Sequence, residues 1–446
     1  MAESLSDLVV DEQTILETCD EPELPRMGII EQQWATDPIP PGEAAGVAHD
    51  AVGDLTLNKV PDGGAVAVGV GSRGIANISE IVRGTIEGLQ DRGYDPFIFP
   101  AMGSHGGATA SGQRSKLASY DITEEVVGCE IRATMNVVEV GETPDRGISI
   151  VADANAVAAD AIVPINRIKP HTTFFSDVES GLSKMLVIGM GKQKGAKTAH
   201  EWAVDWSLGN MIPEIGETLV EKLPVVGGIA IVEDQRHDTA IVEGVPPSGF
   251  LDREAELLET AYDLMPTLPW DEIDVLVLDQ MGKDVSGSGM DTNVIGRLPH
   301  FYEPEPTEPT IRRIYTRALT KPSHGNAAGL GNADLVHQAL LEEWDASKTF
   351  INGVTSASLS VQRLPPVVET DRGGLVSALS TIGVVHANRK SARVIRATDT
   401  QHLHRFYASK ALVEVARSRD DLRVVKEPEP IEFDESGSFV EPSPAV

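Results

Sequence analysis

Ala65–Pro100 reads AVAVGVGSRGIANISEIVRGTIEGLQDRGYDPFIFP. Ala65–Val70 is an apolar run of strand length. Ile75–Arg92 then sets Ile78, Ile81, Val82, Ile86 and Leu89 at helical spacing and stops near Gly93. Pro96–Pro100 is a second apolar strand. Strand, helix and strand in succession imply a mostly parallel α/β sheet.

The same alternation extends outward. Ile148–Val151, Ala161–Ile165, Val225–Val232 and Asp274–Leu278 read as further short strands, and Phe250–Leu264 as an acidic helix. Phe350–Val354 and Gly383–His386 complete the strand series toward the C-terminus. A chain of 446 residues exceeds the size of one core. The fold class expected is therefore α/β, with two α/β domains, mostly parallel sheets and the active site in the cleft between them. The domains would be residues 1–268 and 269–425, followed by a loose acidic tail, 426–446.

The formal charge is −31. Such a field repels nucleic acid and anionic membranes. Lysines number 14 against 23 arginines, which suits a surface of halophile type. The chain has no apolar run long enough to cross a bilayer, and its acidic start lacks a signal pattern, so a cytoplasmic protein is expected. Cys19 and Cys129 are too few for a disulfide scaffold or a four-cysteine metal site.

Unusual residues cluster just after the strands, where α/β sheets bind ligands. Gly69-Val70-Gly71-Ser72-Arg73-Gly74 matches the glycine pattern of a dinucleotide turn, but the next strand ends in Phe99-Pro100 without the acid expected to hold a ribose. Dinucleotide binding, binding of another phosphate and a purely structural turn all stay open. Gly103-Ser104-His105-Gly106-Gly107 displays a histidine between glycines, and Pro170-His171 ends another strand-like run. Ile168–His200 holds Lys169, Lys184, Lys192, Lys194 and Lys197, a local excess of positive charge. Lys184, behind Glu179 and Gly181 and ahead of Met185–Met190, is either a buried nucleophilic amine or the partner of Glu179 or Asp177. Gln280 and Lys283 close the first strand of the second domain and suit an anionic, oxygenated ligand. Three histidines could make a zinc site, although their spacing lacks a helical pair. The glycine-rich His324–Asp334 reads as a loop without an assigned role.

Taken together, His105, Pro170-His171, Lys184 with His200 sixteen residues later, and Gln280 with Lys283 resemble the nickel-pincer-nucleotide lactate racemases and their 2-hydroxy-acid racemase and epimerase relatives. The resemblance implies a pyridinium mononucleotide bound covalently at Lys184, with nickel held by His200. It implies His105 and His171 as the acid–base pair, and Gln280 and Lys283 on the substrate. It implies a phosphate loop made by Gly71, Ser72, Arg73 and Gly74, with the cofactor-biosynthesis enzymes as partners. Val70 stands where the family has an aspartate, and Gly181-Leu182-Ser183-Lys184 replaces its GGRK, which marks a divergent branch. Hydride chemistry suits such a substrate, because removing Cα–H as a proton beside a carboxylate would build a dianion. Two imidazoles titrating near neutrality then serve the two faces. An NAD-dependent dehydrogenase, or a non-catalytic nickel- or nucleotide-binding protein, is the alternative.

Overall fold

The computed structural model describes residues 5–19, 22–72, 74–300, 303–383 and 391–444. It divides into two compact units, Thr36–Met265 and the combination of Met1–Ala35 with Pro266–Val446. The division near residue 265 lies beside the expected boundary, but the first 35 residues do not join the segment that follows them.

The Thr36–Met265 unit is built on a five-stranded sheet in the order Asp95–Pro100 (β4), Ala65–Val70 (β3), Ala161–Arg167 (β7), Gly228–Glu233 (β8) and Thr239–Val245 (β9). The first four strands run parallel, and β9 is antiparallel to β8. Val137–Glu142 (β5) and Ser149–Asp153 (β6) form a separate hairpin pair. The helix Ile78–Asp91 covers one sheet face with Ile78, Ile81, Val82, Ile86 and Leu89, packed among Val66, Val68, Val70 and Ile98. Each such side chain contributes roughly 1.5–3 kcal/mol on burial. A Cβ at Gly84 would fall 2.0 Å from the Ala45 carbonyl oxygen, so glycine lets the helix Ala44–Ala51 approach. The opposite face carries a second core that includes Phe97, Phe99, Ile162, Leu182, Leu186, Leu257 and Leu258.

The other unit holds a nine-stranded sheet. Its order is Val9–Val10 (β1), Val367–Val368 (β13), Leu335–His337 (β12), Thr310–Leu319 (β11), Glu272–Met281 (β10), Val394–Ala397 (β14), Arg405–Ser409 (β15), Met27–Gln32 (β2) and Leu422–Glu429 (β16). From β1 to β14 all pairs are parallel, and the last three strands are added antiparallel. Strand β2 lies between β15 and β16, which places the start of the chain in this unit.

Two expectations fail here. Phe350–Val354 lies in the helix Ala346–Thr355, not in a strand. Asp345 caps that helix by accepting from the Lys348 N–H. The segment 426–446 is not a loose tail over its described part. Strand β16 runs to Glu429, Phe433 stacks on Phe439 at 5.3 Å, and the Phe439 N–H donates to Asp371. The expected strand Gly383–His386 lies outside the described residues after Gly383. No helix of the described residues is long and apolar enough to cross a membrane.

Candidate functional site

In the five-stranded sheet the chain leaves β3 for β4 on one side and later returns as β7 on the other. Ligands of α/β sheets sit at the carboxyl ends of strands at such a switch point. Gly71 and Ser72 follow β3, His105 follows β4, and Asn166 lies near the end of β7.

The glycine loop does not run directly into its helix. Asn77, with φ 56°, stands just before a helix that begins at Ile78, and the Ala76 N–H is taken by Glu233 Oε1 at 2.7 Å. That carboxylate also pairs with Arg167. The helix start expected at Ile75 is therefore displaced by three residues, and a carboxylate occupies part of the ground a phosphate would need. Gly71 serves a different contact. A Cβ there would lie 3.1 Å from Met185 Cε, so the bare backbone gives room to the Met185 side chain next to Lys184. Gly74 makes no comparably close approach, its Cβ falling 3.8 Å from Tyr120. Arg73 lies outside the described residues.

His105 is exposed, and its Nδ1 meets the Ser72 hydroxyl, while the Ser72 carbonyl accepts from Tyr120 at 2.6 Å. Gly103 (φ 57°), Gly106 (φ 65°) and Gly107 (φ 65°) all take left-handed backbone, which explains the glycines around this histidine. The Gly103 N–H donates to the Gly189 carbonyl at 3.0 Å. Gly189 belongs to Met185–Gly189, a π-helical turn that directly follows Lys184. Such turns occur often at functional sites. The loops of Gly71, His105 and Lys184 are thereby packed together.

Lys184 is half-buried. Its Nζ is 3.4 Å from Ser180 Oγ and 5.8 Å from the centre of the Phe174 ring. His171 packs on the same ring, tilted by 30°, with centroids 4.4 Å apart. The Thr173 hydroxyl is 3.0 Å from His171 Nδ1, and the Thr173 N–H donates to it at 3.2 Å. Glu179, nearly without exposure, accepts from the backbone N–H of His171 and Ser176 and from Tyr262. Burial pushes its carboxyl up to about 7, against the opposing effect of these bonds and of the Lys184 charge. His200 lies on the helix Lys192–Trp206. Burial first, and the Lys184 charge second, lower its pKa and favour the neutral imidazole.

The five lysines of this stretch do not converge. Lys194 and Lys197 are exposed, and Lys197 pairs with Glu201 at 3.6 Å. Lys192 is wholly buried, 2.9 Å from Asp153, and also donates to the Pro100 carbonyl and to Gln113. Gln113 in turn donates to the carbonyls of Gly103 (3.0 Å) and His105 (3.3 Å). This buried chain holds the histidine loop, and residue spacing gives no hint of it. Glu254 was also missed. It accepts from the N–H and hydroxyl (2.6 Å) of Ser183, the residue before Lys184. Its signal was present in the sequence as a carboxylate in the apolar stripe Phe250, Glu254, Leu257, Leu258, Ala261.

Gln280 and Lys283 belong to the other unit. Gln280 Nε2 donates to Asp399 at 3.0 Å. Lys283 Nζ turns back to the Gly287 carbonyl and to Asn352. His324 is exposed, at the end of a short turn in its glycine-rich loop. Among the described residues, no group of three or more His, Cys, Asp or Glu side chains is arranged to hold a metal ion. A zinc site built from His105, His171 and His200 is therefore not formed in this arrangement.

No protein-family model matches the chain, and no curated protein matches it. Among solved structures, the lactate racemase apoprotein from Thermoanaerobacterium thermosaccharolyticum is similar to it with a TM-score of 0.45 and 15% identity, covering 89% of this chain and 96% of that one.

Proposed function

We propose that this protein is a racemase or epimerase of a 2-hydroxy acid that works with a nickel-pincer nucleotide bound covalently at Lys184. The observation that carries the reading is the neighbourhood of that amine: an aromatic ring at 5.8 Å, a buried carboxyl and an imidazole that burial and the amine itself keep neutral. These residues fit the group. A neutral imidazole is the metal-binding form, so His200 would hold the nickel. A single protein ligand is enough where the cofactor brings its own carbon and sulfur donors. Converting the Lys184 amine to a neutral thioamide would also remove the cation that now acts on His200. Gly71 and Ser72, at the end of β3, would receive the phosphate end ahead of the Ala76 N–H that Glu233 holds.

When bound, the cofactor would supply hydride-accepting chemistry at an electron-poor carbon. The chain's own residues handle the proton. His105 and His171 each have a hydroxyl at Nδ1, from Ser72 and Thr173. At His105 the Ser72 hydroxyl can accept from Nδ1–H and leave Nε2 to take the proton of the substrate hydroxyl, whereas His171 Nδ1 already accepts from the Thr173 N–H, so its neutral ring carries Nε2–H and can donate. Loss of that proton and of the hydride leaves a flat 2-keto acid. Return to the opposite face inverts the centre. Gln280 and Lys283 are proposed to hold the substrate.

The test is chiral chromatography on a panel of 2-hydroxy acids after co-expression with the cofactor-making enzymes. Racemisation of at least one acid is expected. A fully loaded protein that turns over none of them favours a non-catalytic carrier instead.

A further inference from the structure

His171 sits on a loop that is closed at its base by backbone pairing. The Lys169 N–H donates to the Ser180 carbonyl at 2.9 Å, and the Ser180 N–H returns a bond to the Lys169 carbonyl at 3.3 Å. Phe174 and Val178 are buried and anchor the loop in the core of its unit. The Ser176 hydroxyl donates to the Gly209 carbonyl at 2.9 Å, which ties the loop to the helix Leu208–Lys222. None of these contacts is made by His171.

Glu179 makes a different set. It is 2% exposed, and both its oxygens accept. Oε2 takes the His171 N–H, and Oε1 takes the Ser176 N–H at 3.1 Å and the Tyr262 hydroxyl at 3.0 Å. Tyr262 comes from the helix Phe250–Leu264. A carboxylate offers an acceptor to both N–H groups at once, whereas an amide of the same shape would turn its NH2 toward one of them. Burial opposes ionisation of Glu179, and these bonds and the Lys184 charge favour it. An apolar side chain would fill the same space at lower cost, but would leave the two N–H groups without an acceptor. The turn that starts at His171 then brings the Thr173 N–H to His171 Nδ1 at 3.2 Å, with the Thr173 hydroxyl at 3.0 Å. A backbone N–H only donates. Nδ1 therefore presents its lone pair, and the proton of the neutral imidazole is on Nε2.

We propose that Glu179 is a positioning residue for His171: by holding the His171 and Ser176 N–H groups, its carboxylate shapes the turn that lays the Thr173 N–H on Nδ1, and so keeps His171 in the Nε2–H tautomer. The two histidines of the acid–base pair are then unequal, because His171 enters the reaction with a proton to give at Nε2. In the sequence Glu179 is read only as an alternative partner of Lys184. The inference rests on the proposed function for the use made of that proton. The tautomer itself does not depend on it.

The experiment is nitrogen NMR of the full chain with isotope-labelled histidine, without cofactor and at a pH where the ring is neutral. His171→Gln assigns the signals, and the Nδ1 and Nε2 shifts report which nitrogen carries the proton. The wild type is expected to show Nε2–H alone, and Thr173→Val, which keeps the N–H, the same. Glu179→Gln should give a mixture of both tautomers with unchanged circular dichroism, and Glu179→Asp should restore part of the Nε2–H form. Tyr262→Phe removes one donor from the carboxylate and should move the signals less, in the same direction. In cofactor-loaded protein, Glu179→Gln should lower kcat by about tenfold or more with little change in KM, as expected when a reacting group is misplaced. A wild-type ring protonated on Nδ1, or a Glu179→Gln ring that keeps Nε2–H alone, overturns the proposal. Should Glu179→Gln fail to fold, unchanged His171 signals in Tyr262→Phe overturn it. A protein that racemises nothing, yet shows mixed tautomers in Glu179→Gln, removes the proposed function and leaves this role standing.

Discussion

Lys192 Nζ lies 2.9 Å from Asp153 Oδ2, and neither side chain has any exposed surface. Burial lowers the Lys192 pKa, and the Asp153 charge opposes that shift. Removing one member of such a pair leaves the other charge buried and uncompensated. Lys192→Met should therefore destabilise the protein by about 3–5 kcal/mol in urea titration. Because Lys192 also orders Gln113, the milder Gln113→Leu should loosen the Gly103–His105 loop, read as faster amide exchange there than in the helix Ile78–Asp91.

Glu254 gives a pH signature. Burial pushes its carboxyl up to about 7, well above the ordinary 4.5 of the unfolded chain. Between those values the folded state holds more protons than the unfolded one, so stability falls as pH rises through that window. Glu254→Gln keeps an acceptor for Ser183 and removes the titration. Relative to the wild type, it should abolish a loss of up to about 3 kcal/mol across this range. Denaturation midpoints at several pH values check this, and an unchanged pH slope would rule out Glu254 as its source.

His105→Ala and His171→Ala should each lower racemisation by about 10²–10⁴-fold, the usual worth of a positioned acid or base. Circular dichroism should be unchanged, since His105 is exposed and His171 only half-buried. Full activity in either variant removes that histidine from the mechanism.

Gly71→Val should crowd the Met185 side chain next to Lys184, because a Cβ at this position already lies 3.1 Å from Met185 Cε and Val adds two methyl groups. Gly74→Ala, whose Cβ falls 3.8 Å from Tyr120, should be tolerated. Cofactor loading measured by mass separates the two: Gly71→Val should load poorly and Gly74→Ala normally.

Local pattern carried the parts of the fold that are local. Ala65–Val70 and Phe250–Leu264 have the bounds their apolar spacing suggests, and the α/β class follows from such segments. Phe350–Val354 failed because a short apolar run fits helix and strand equally, and a cap at Asp345 decides for helix. Strand β2 has no reading in the sequence at all: pairing Met27–Gln32 with residues some 400 positions away is a tertiary event with no local trace. Much the same holds at the site. Histidines between glycines and a lysine ahead of an apolar run stand out as residue types. The partners that hold them, Ser72 on His105 and Glu254 on Ser183 next to Lys184, come from distant segments and depend on the folded sheet.

The central claim is a covalent bond at Lys184, and peptide mass spectrometry reads it directly. Protein co-expressed with the cofactor-making enzymes should yield a Lys184-containing peptide heavier by the mass of the nucleotide adduct, absent in Lys184→Ala. An unmodified Lys184 peptide from fully soluble, folded protein made under the same conditions would contradict it.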